Sequence, residues 1–438
     1  MVESAIINTL IGCGVGALAG LIPGTGLLVS IMIMYPYLVD LGLIDLLCFY
    51  IGLSNLAQFT GSITAIYFGI PGEANSLPAA QEGYALYKKG HGQSAIIGTS
   101  LSSITAGIIT LFLLIALSRY YETIFSYFYK TQNQLIIFLL SITVFLFFSK
   151  SKWYFTGLLM FFGYILGKVG FNEYTGKYFL SFGNFDLGTG IPSFPLIVGL
   201  LIVPQLYKKY DYVTNPNNIF LNTKSFLLFF KNITHTLIGT MVGFVCGLIP
   251  GVSTVLATNL SHKISKWLDS NNQPSYKALI SAEASNNSAI IVTLLPLIVL
   301  GIPITGSEAF LLSIMDRNLI DINWQIILQN NFDFLIAISV MISLMLGIII
   351  SWPMSKILNQ FLFTTRKYLK TFIFVILLGT IFVTASATDQ VFYYLIVFVF
   401  ASFIGLTLKK FDVLPLIFVF LIQNKLESVI IISYNLLT

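Results

Sequence analysis

The chain has 438 residues, of which 56% are hydrophobic and 9% charged, with a net charge of +5 and a mean hydropathy of +0.87. Soluble domains carry about 25% charged residues, so too little polar surface is present to cover a water-exposed fold, and lipid must be the main solvent. The scattered basic residues form no stripe dense enough for nucleic acid, and the isolated Cys13, Cys48 and Cys246, each in an apolar run, read as inert buried thiols.

The N-terminal residues lack the basic region of a cleavable leader, so the first apolar segment is expected to be retained. It contains "GALAGLIPGTG" (16–26). Gly12, Gly16 and Gly20 make a small-residue face suited to close helix packing. The Pro23-Gly24 pair removes a backbone donor and permits a sharp turn. It therefore predicts either a broken, re-entrant segment or a kink between two spans. Apolar runs follow at 46–70, 95–118, 134–149, 153–169 and 190–207, each a candidate crossing. The run at 46–70 carries Asn55, Gln58, Thr60, Ser62 and Thr64, then "GIPGEANS" with Pro71-Gly72. Continuous rather than alternating apolar runs argue against a β-barrel.

A polar stretch, "KYDYVTNPNN", marks a linker over 209–230. Beyond it the plan recurs. "GFVCGLIPGVS" (243–253) aligns with the first Pro-Gly segment at an offset of 227. Gly239, Gly243, Gly247, Pro250 and Gly251 face Gly12, Gly16, Gly20, Pro23 and Gly24. At an offset of 232, Asn287 faces Asn55, and Gly301-Ile302-Pro303 faces Gly69-Ile70-Pro71. Crossings are expected at 282–302, 332–352, 371–387, 391–408 and 412–433. Lysines cluster in alternate loops, which the positive-inside rule makes cytoplasmic. The first Pro-Gly segment lacks flanking lysines and the second has four. Five crossings per half is an odd number. The expected fold is therefore an all-α polytopic membrane protein of two inverted-topology repeats, 1–208 and 231–438, each with a re-entrant or broken helix pair and about five transmembrane helices.

Broken helices near the bilayer midplane offer backbone dipoles to a solute or ion. Asn55, Asn286 and Asn287 are the amides expected to face a ligand, unless they serve only as hydrogen-bonding glue between helices. Glu283 either neutralises a coupling cation or is a solvated helix start. Asparagine, serine and backbone carbonyls suit Na⁺, with Asn55 and Asn287 as its candidate ligands. A titrating Glu283 or Glu73 would suit H⁺. A pump is disfavoured by the absence of a GxxxxGK[ST] loop, and an intramembrane enzyme by the lack of paired catalytic groups at depth. A channel, or a transporter for a non-carboxylate solute, remains the alternative.

"GALAGLIPGTG", "GSITAIYFGIPGEANS", "EGYALYKKGHGQSAI", "GLIPGVST" and "EASNNSAIIVTLLPLIVLGIP", in that order, resemble the large membrane subunit of the tripartite tricarboxylate transporters, the TctA family. The resemblance implies gradient-driven uptake of small organic anions of the tricarboxylate and dicarboxylate class across a bacterial inner membrane, with Na⁺ or H⁺ as coupling ion and no other cofactor. It also implies a small membrane subunit and a periplasmic solute-binding protein as partners. It carries over Pro23, Gly24, Gly26, Ser62, Pro71, Gly72, Pro250, Gly251, Asn286, Asn287 and Pro303 as site residues. Asn55 joins them as a ligand-facing amide, and Thr25 and Ser253 as hydroxyls beside the Pro-Gly pairs. Leu27 and Ile304 depart from the family's usual proline and glycine at those positions, which leaves the substrate open.

Overall fold

The computed structural model describes residues 2–21, 26–69, 74–118, 131–148, 151–172, 176–206, 223–249, 254–269, 274–318, 332–351 and 390–437, with scattered residues in 119–130 and 368–386. Helices dominate. The first half comprises α1 (Val2–Leu21), α2 (Gly26–Ile33), α3 (Leu43–Phe68), α4 (Gly92–Ser118), α5 (Thr131–Phe148) and α6 (Trp153–Lys168). A two-stranded antiparallel hairpin follows, β1 (Gly170–Asn172) with β2 (Lys177–Phe179), pairing Phe171 opposite Tyr178. It is a small departure from the all-helical expectation. Helix α7 then runs from Ser193 through a wider π turn, Val198–Ile202, to Leu206. The second half comprises α8 (Thr223–Lys231), α9 (Ile233–Leu248), α10 (Thr254–Leu268), α11 (Tyr276–Val292), α12 (Leu294–Leu300), α13 (Gly306–Arg317), α14 (Phe332–Ser351), α15 (Val391–Thr407) and α16 (Leu414–Leu437). Residues 223–230, expected as linker, are thus helical, and α8 meets α9 at a 60° bend.

Among the described residues, five helical stretches are long and apolar enough to cross a bilayer: Val2–Leu21, Leu43–Tyr67, Gly92–Ser118, Tyr276–Leu300 and Asp333–Ser351. Their hydropathy runs opposite to their burial. Helix α3 and the α11–α12 stretch have mean hydropathies of 1.3 and 1.5 and are 94% buried. Helices α4 and α14, at 2.2 and 2.7, are 39% buried. The most apolar helices face outward because lipid rewards apolar surface, whereas polar groups at membrane depth must find partners within protein. The polar α3 and α11 therefore occupy the centre.

Each central helix is gripped by a glycine-faced neighbour. A Cβ added at Gly12, Gly16 or Gly20 of α1 would come within 2.1–2.2 Å of the backbone oxygens of Phe49, Leu53 and Ala57 on α3. On α9, Gly239, Gly243 and Gly247 stand in the same way against the carbonyls of Ser281, Ser285 and Ala289 on α11. Those three residues lie 232 positions beyond Phe49, Leu53 and Ala57. The helix–helix contact therefore repeats in the register of the sequence alignment. Helices α3 and α12 also end alike. Gly69 and Gly301 cap them in the left-handed region, at φ 67° and 65°, where a Cβ is disfavoured.

Candidate transport site

Of the residues singled out from sequence, Pro23, Gly24, Thr25, Pro71, Gly72, Pro250, Gly251 and Ser253, together with Glu73, lie outside the described residues. Gly26 begins α2 at φ 56° and is buried. The remaining candidates lie on α3, α11 and the turn after α12.

Helices α3 and α11 cross antiparallel through a polar seam. Ser62 donates to the Glu283 carboxylate, and the Asn286 amide donates to Gln58 Oε1. Moving up α3 from 58 to 62 thus moves down α11 from 286 to 283. The Asn75 amide, from the 3₁₀ turn Ala74–Ser76, donates to Asn286 Oδ1 at 2.9 Å. Asn286 therefore joins α3, α11 and the segment that follows Pro71-Gly72. All of these side chains are buried. Glu283 is no solvated helix start. Ser275 caps α11 by accepting from Ala278 N–H at 3.1 Å, so the helix begins at Tyr276. Glu283 lies two turns inside it, 3% exposed. The sequence LISAEASNNS hides this start because small and polar residues do not register as apolar.

The two equivalent asparagines are bound in matching ways. Asn55 Nδ2 donates to Ser343 Oγ of α14 at 2.7 Å. Asn287 Nδ2 donates to Ser103 Oγ of α4 at 2.8 Å. Each asparagine reaches the next helix long enough to cross a bilayer after the central one, but in the other half of the chain. Thr110 and Ser288 add a further cross-link at 2.7 Å. Hydropathy cannot reveal Ser103 and Ser343, because small hydroxyls barely alter the apolar character of α4 and α14.

The turn after α12 behaves differently from the expected open N-terminus. Glu308 accepts from the N–H groups of Ile304 and Thr305 at 2.8 and 3.1 Å, and from the Thr293 hydroxyl. Thr305 Oγ1 in turn accepts from Glu308 N–H, closing a capping box. The first backbone donors after Pro303 are thus engaged by the protein's own carboxylate. The T-x-x-E spacing in "ITGSEA" signals this cap.

Among the described residues, every fully buried charged side chain is a glutamate: Glu82, Glu283 and Glu308. No cluster of three or more His, Cys, Asp or Glu is placed to hold a metal ion among them, and the three cysteines are free and buried. Glu82 lies outside the spans, in a π turn before α4. It accepts from Lys266 Nζ at 2.6 Å and from Ser275 N–H at 2.8 Å, with His262 Nε2 at 3.0 Å. Burial alone would raise its pKa. The hydrogen bonds from His262, Lys266 and Ser275 outweigh it and hold the carboxyl at about 2. This pairing ties the first half to α10 and α11. A cavity of about 490 Å³ opens among Lys168, Asn172, Thr189, Ser193 and Arg317, and no seam residue lines it.

Apolar spans packed around a buried, amide-rich seam that holds the Glu283 carboxyl make this a polytopic helical membrane protein. The sequence profile of the tripartite tricarboxylate transporter TctA family matches residues 6–420, and the chain belongs to that family, one of transporters. A protein of Agrobacterium vitis described as an uncharacterized 52.8 kDa protein in the TAR-I ttuC' 3' region is 29% identical over 311 residues. That alignment covers 68% of this chain and 61% of the relative, so the chain spans under two thirds of the relative's length. No solved structure matches.

Proposed function

We propose that the protein is the large membrane subunit of a secondary transporter that imports small carboxylates, dicarboxylates or tricarboxylates, driven by a Na⁺ or H⁺ gradient. It works with a small membrane subunit and a periplasmic solute-binding protein in the bacterial inner membrane. One observation carries this reading: the buried seam in which Asn286 bridges Gln58 and Asn75 at the crossing of the two central helices. Packing alone does not need such a concentration of amides, and ionisable or amide groups at membrane depth mark solute pathways.

The same seam supports reading the two halves as inverted repeats. Helices α3 and α11 correspond at the 232-residue offset and run antiparallel where they meet. Inversion of one half relative to the other gives this arrangement. Repeats of this kind rock about a central site to give alternating access. The solute would be held by amides, hydroxyls and backbone N–H groups, since the seam offers an anion no basic side chain among the described residues.

The test is uptake of labelled citrate and smaller carboxylates into proteoliposomes under an imposed Na⁺ or H⁺ gradient, with candidate binding proteins added. Saturable uptake that collapses with the gradient is expected. Asn286→Ala should lower it at least about tenfold, with the variant still monodisperse in detergent. Flux that does not saturate and ignores both gradients would replace this reading with a channel.

A further inference from the structure

We propose that α8 lies on the cytoplasmic face of the bilayer and binds anionic phospholipid there. Its apolar strip enters the acyl boundary, and Lys224 and Lys231 take the headgroups. The inference rests on the membrane-spanning fold and not on the transport reading.

The depth and tilt of α8 follow from its neighbours. On α9, Gly239, Gly243 and Gly247 meet Ser281, Ser285 and Ala289 of α11 in step. Helices that keep register over two turns run nearly parallel, so α9 follows α11, which begins a stretch long and apolar enough to span. Helix α8 turns away from α9 at 60° and so lies nearer the membrane plane than its normal. Ser225 Oγ of α8 is 2.9 Å from Ser94 Oγ, in the first turn of α4 and just beyond Lys88 and Lys89. Those lysines mark the cytoplasmic boundary by the positive-inside rule. Helix α8 therefore sits at the depth where a span begins, not in the water beyond it.

The faces of α8 sort by helical spacing. Ser225 and Phe229, four apart, are buried on the side that meets α4. Leu227 and Phe230, three apart, are 61% and 57% exposed. Beside them Lys224, Leu228 and Lys231 form a second exposed row, with the lysines two turns, or about 10 Å, apart along the axis. No Asp or Glu lies between Asp211 and Asp269, so nothing in this stretch of sequence offsets the lysines. An apolar strip edged by lysines at the level of the headgroups fits one surface, an anionic leaflet. The lipid tails cover Leu227 and Phe230, and the long lysine stems reach back to the headgroups. A second copy packed on the same face would instead set lysines against lysines.

The test uses the full-length chain in nanodiscs with no other subunit. Nitroxides on Leu227→Cys and Phe230→Cys report depth. The three native cysteines are buried, and wild type treated with the label gives the background. Both sites should be more accessible to oxygen than to a water-soluble nickel chelate. Access to the chelate at both places α8 in water and overturns the proposal. Access to neither reagent puts protein on this face, such as a second copy, and overturns it as well. Leu228→Trp, between the two lysines, reports headgroup preference by comparing quenching from brominated phosphatidylglycerol and brominated phosphatidylcholine, with wild-type fluorescence subtracted. Phosphatidylglycerol should be favoured by about fivefold per lysine at low salt. The preference should vanish in Lys224→Gln/Lys231→Gln. It should survive Lys177→Gln, which removes an exposed charge from the β1–β2 hairpin. Equal quenching by the two lipids, or a preference that outlasts the double substitution, overturns the proposal. No arm measures carboxylate uptake, so failure here leaves the transporter reading standing, and failure of uptake leaves the lipid site standing.

Discussion

The glycine contacts between α1 and α3 allow a quantitative test of how the bundle is held. Gly16 and Gly14 lie half a turn apart on α1. A Cβ at position 16 would sit 2.2 Å from the Leu53 carbonyl oxygen, whereas one at position 14 would meet nothing within 4 Å. Ordinary contact begins near 3.4 Å, so Gly16→Ala forces the helix axes apart by about 1 Å. The obstruction is backbone, which cannot rotate away as a side chain would. The cost should fall toward the upper end of the overpacking range, about 3 kcal/mol. Gly14→Ala should be neutral or slightly stabilising, since alanine is favoured over glycine in a helix by up to about 1 kcal/mol. The same contrast is expected in the second half. Gly243→Ala would place a Cβ 2.3 Å from Ser285 O and should match Gly16→Ala. The assay is the apparent unfolding temperature in one detergent, at one scan rate because unfolding of such proteins is commonly irreversible. Equal losses from Gly14→Ala and Gly16→Ala, or no loss from Gly16→Ala, would refute the account of close backbone packing.

Two further outcomes follow from residues outside the seam. Glu82, held at about 2 against an ordinary 4.5, has a folded-state pKa below its unfolded one. Its contribution, on the order of 3 kcal/mol at most, is present above about pH 4.5 and lost as pH falls toward 2. Glu82→Gln should flatten the acid limb of a stability-against-pH curve, and an unchanged limb would show that the pairing with His262 and Lys266 does not stabilise the fold. Gly69→Ala and Gly301→Ala both force alanine into the left-handed region, costing about 1–2 kcal/mol. Gly69→Ala also adds a Cβ 2.7 Å from the Tyr84 ring, so its loss should exceed the backbone cost alone. Gly301→Asn, which tolerates this backbone, should recover part of the loss.

Different physical signals made parts of this arrangement legible in advance. The glycines at four-residue spacing were readable because close approach of two helices leaves no other residue possible there. Their contacts recur at the 232-residue offset that also aligns Asn55 with Asn287. Crossings such as 95–118 and 332–352 were readable because lipid-facing helices must be apolar, and α4 and α14 match them closely. Hydropathy places the start of α11 at 282, six residues late, for the opposite reason. A helix enclosed by other helices is free to be polar, so hydropathy fades where burial is greatest. The partners Ser103 and Ser343 and the Glu82 cluster depend on contacts between segments far apart in the chain, which no local pattern encodes.

The charge of the seam ties these features to energy coupling. A dicarboxylate or tricarboxylate entering between α3 and α11 would meet Glu283, the carboxylate of Glu308 committed to its own turn, and no lysine, arginine or histidine buried among the described residues. An uncompensated anion at membrane depth is costly, and amide and hydroxyl dipoles offset only part of its desolvation. A fixed basic side chain would offset more, but it would remain behind and hold the solute when the site opened inward. On the proposed function, cations arriving with the solute would neutralise it and leave with it. Carboxylate movement under that function would then depend on the ion gradient, because the seam is electrostatically incomplete for an anion without a co-transported cation.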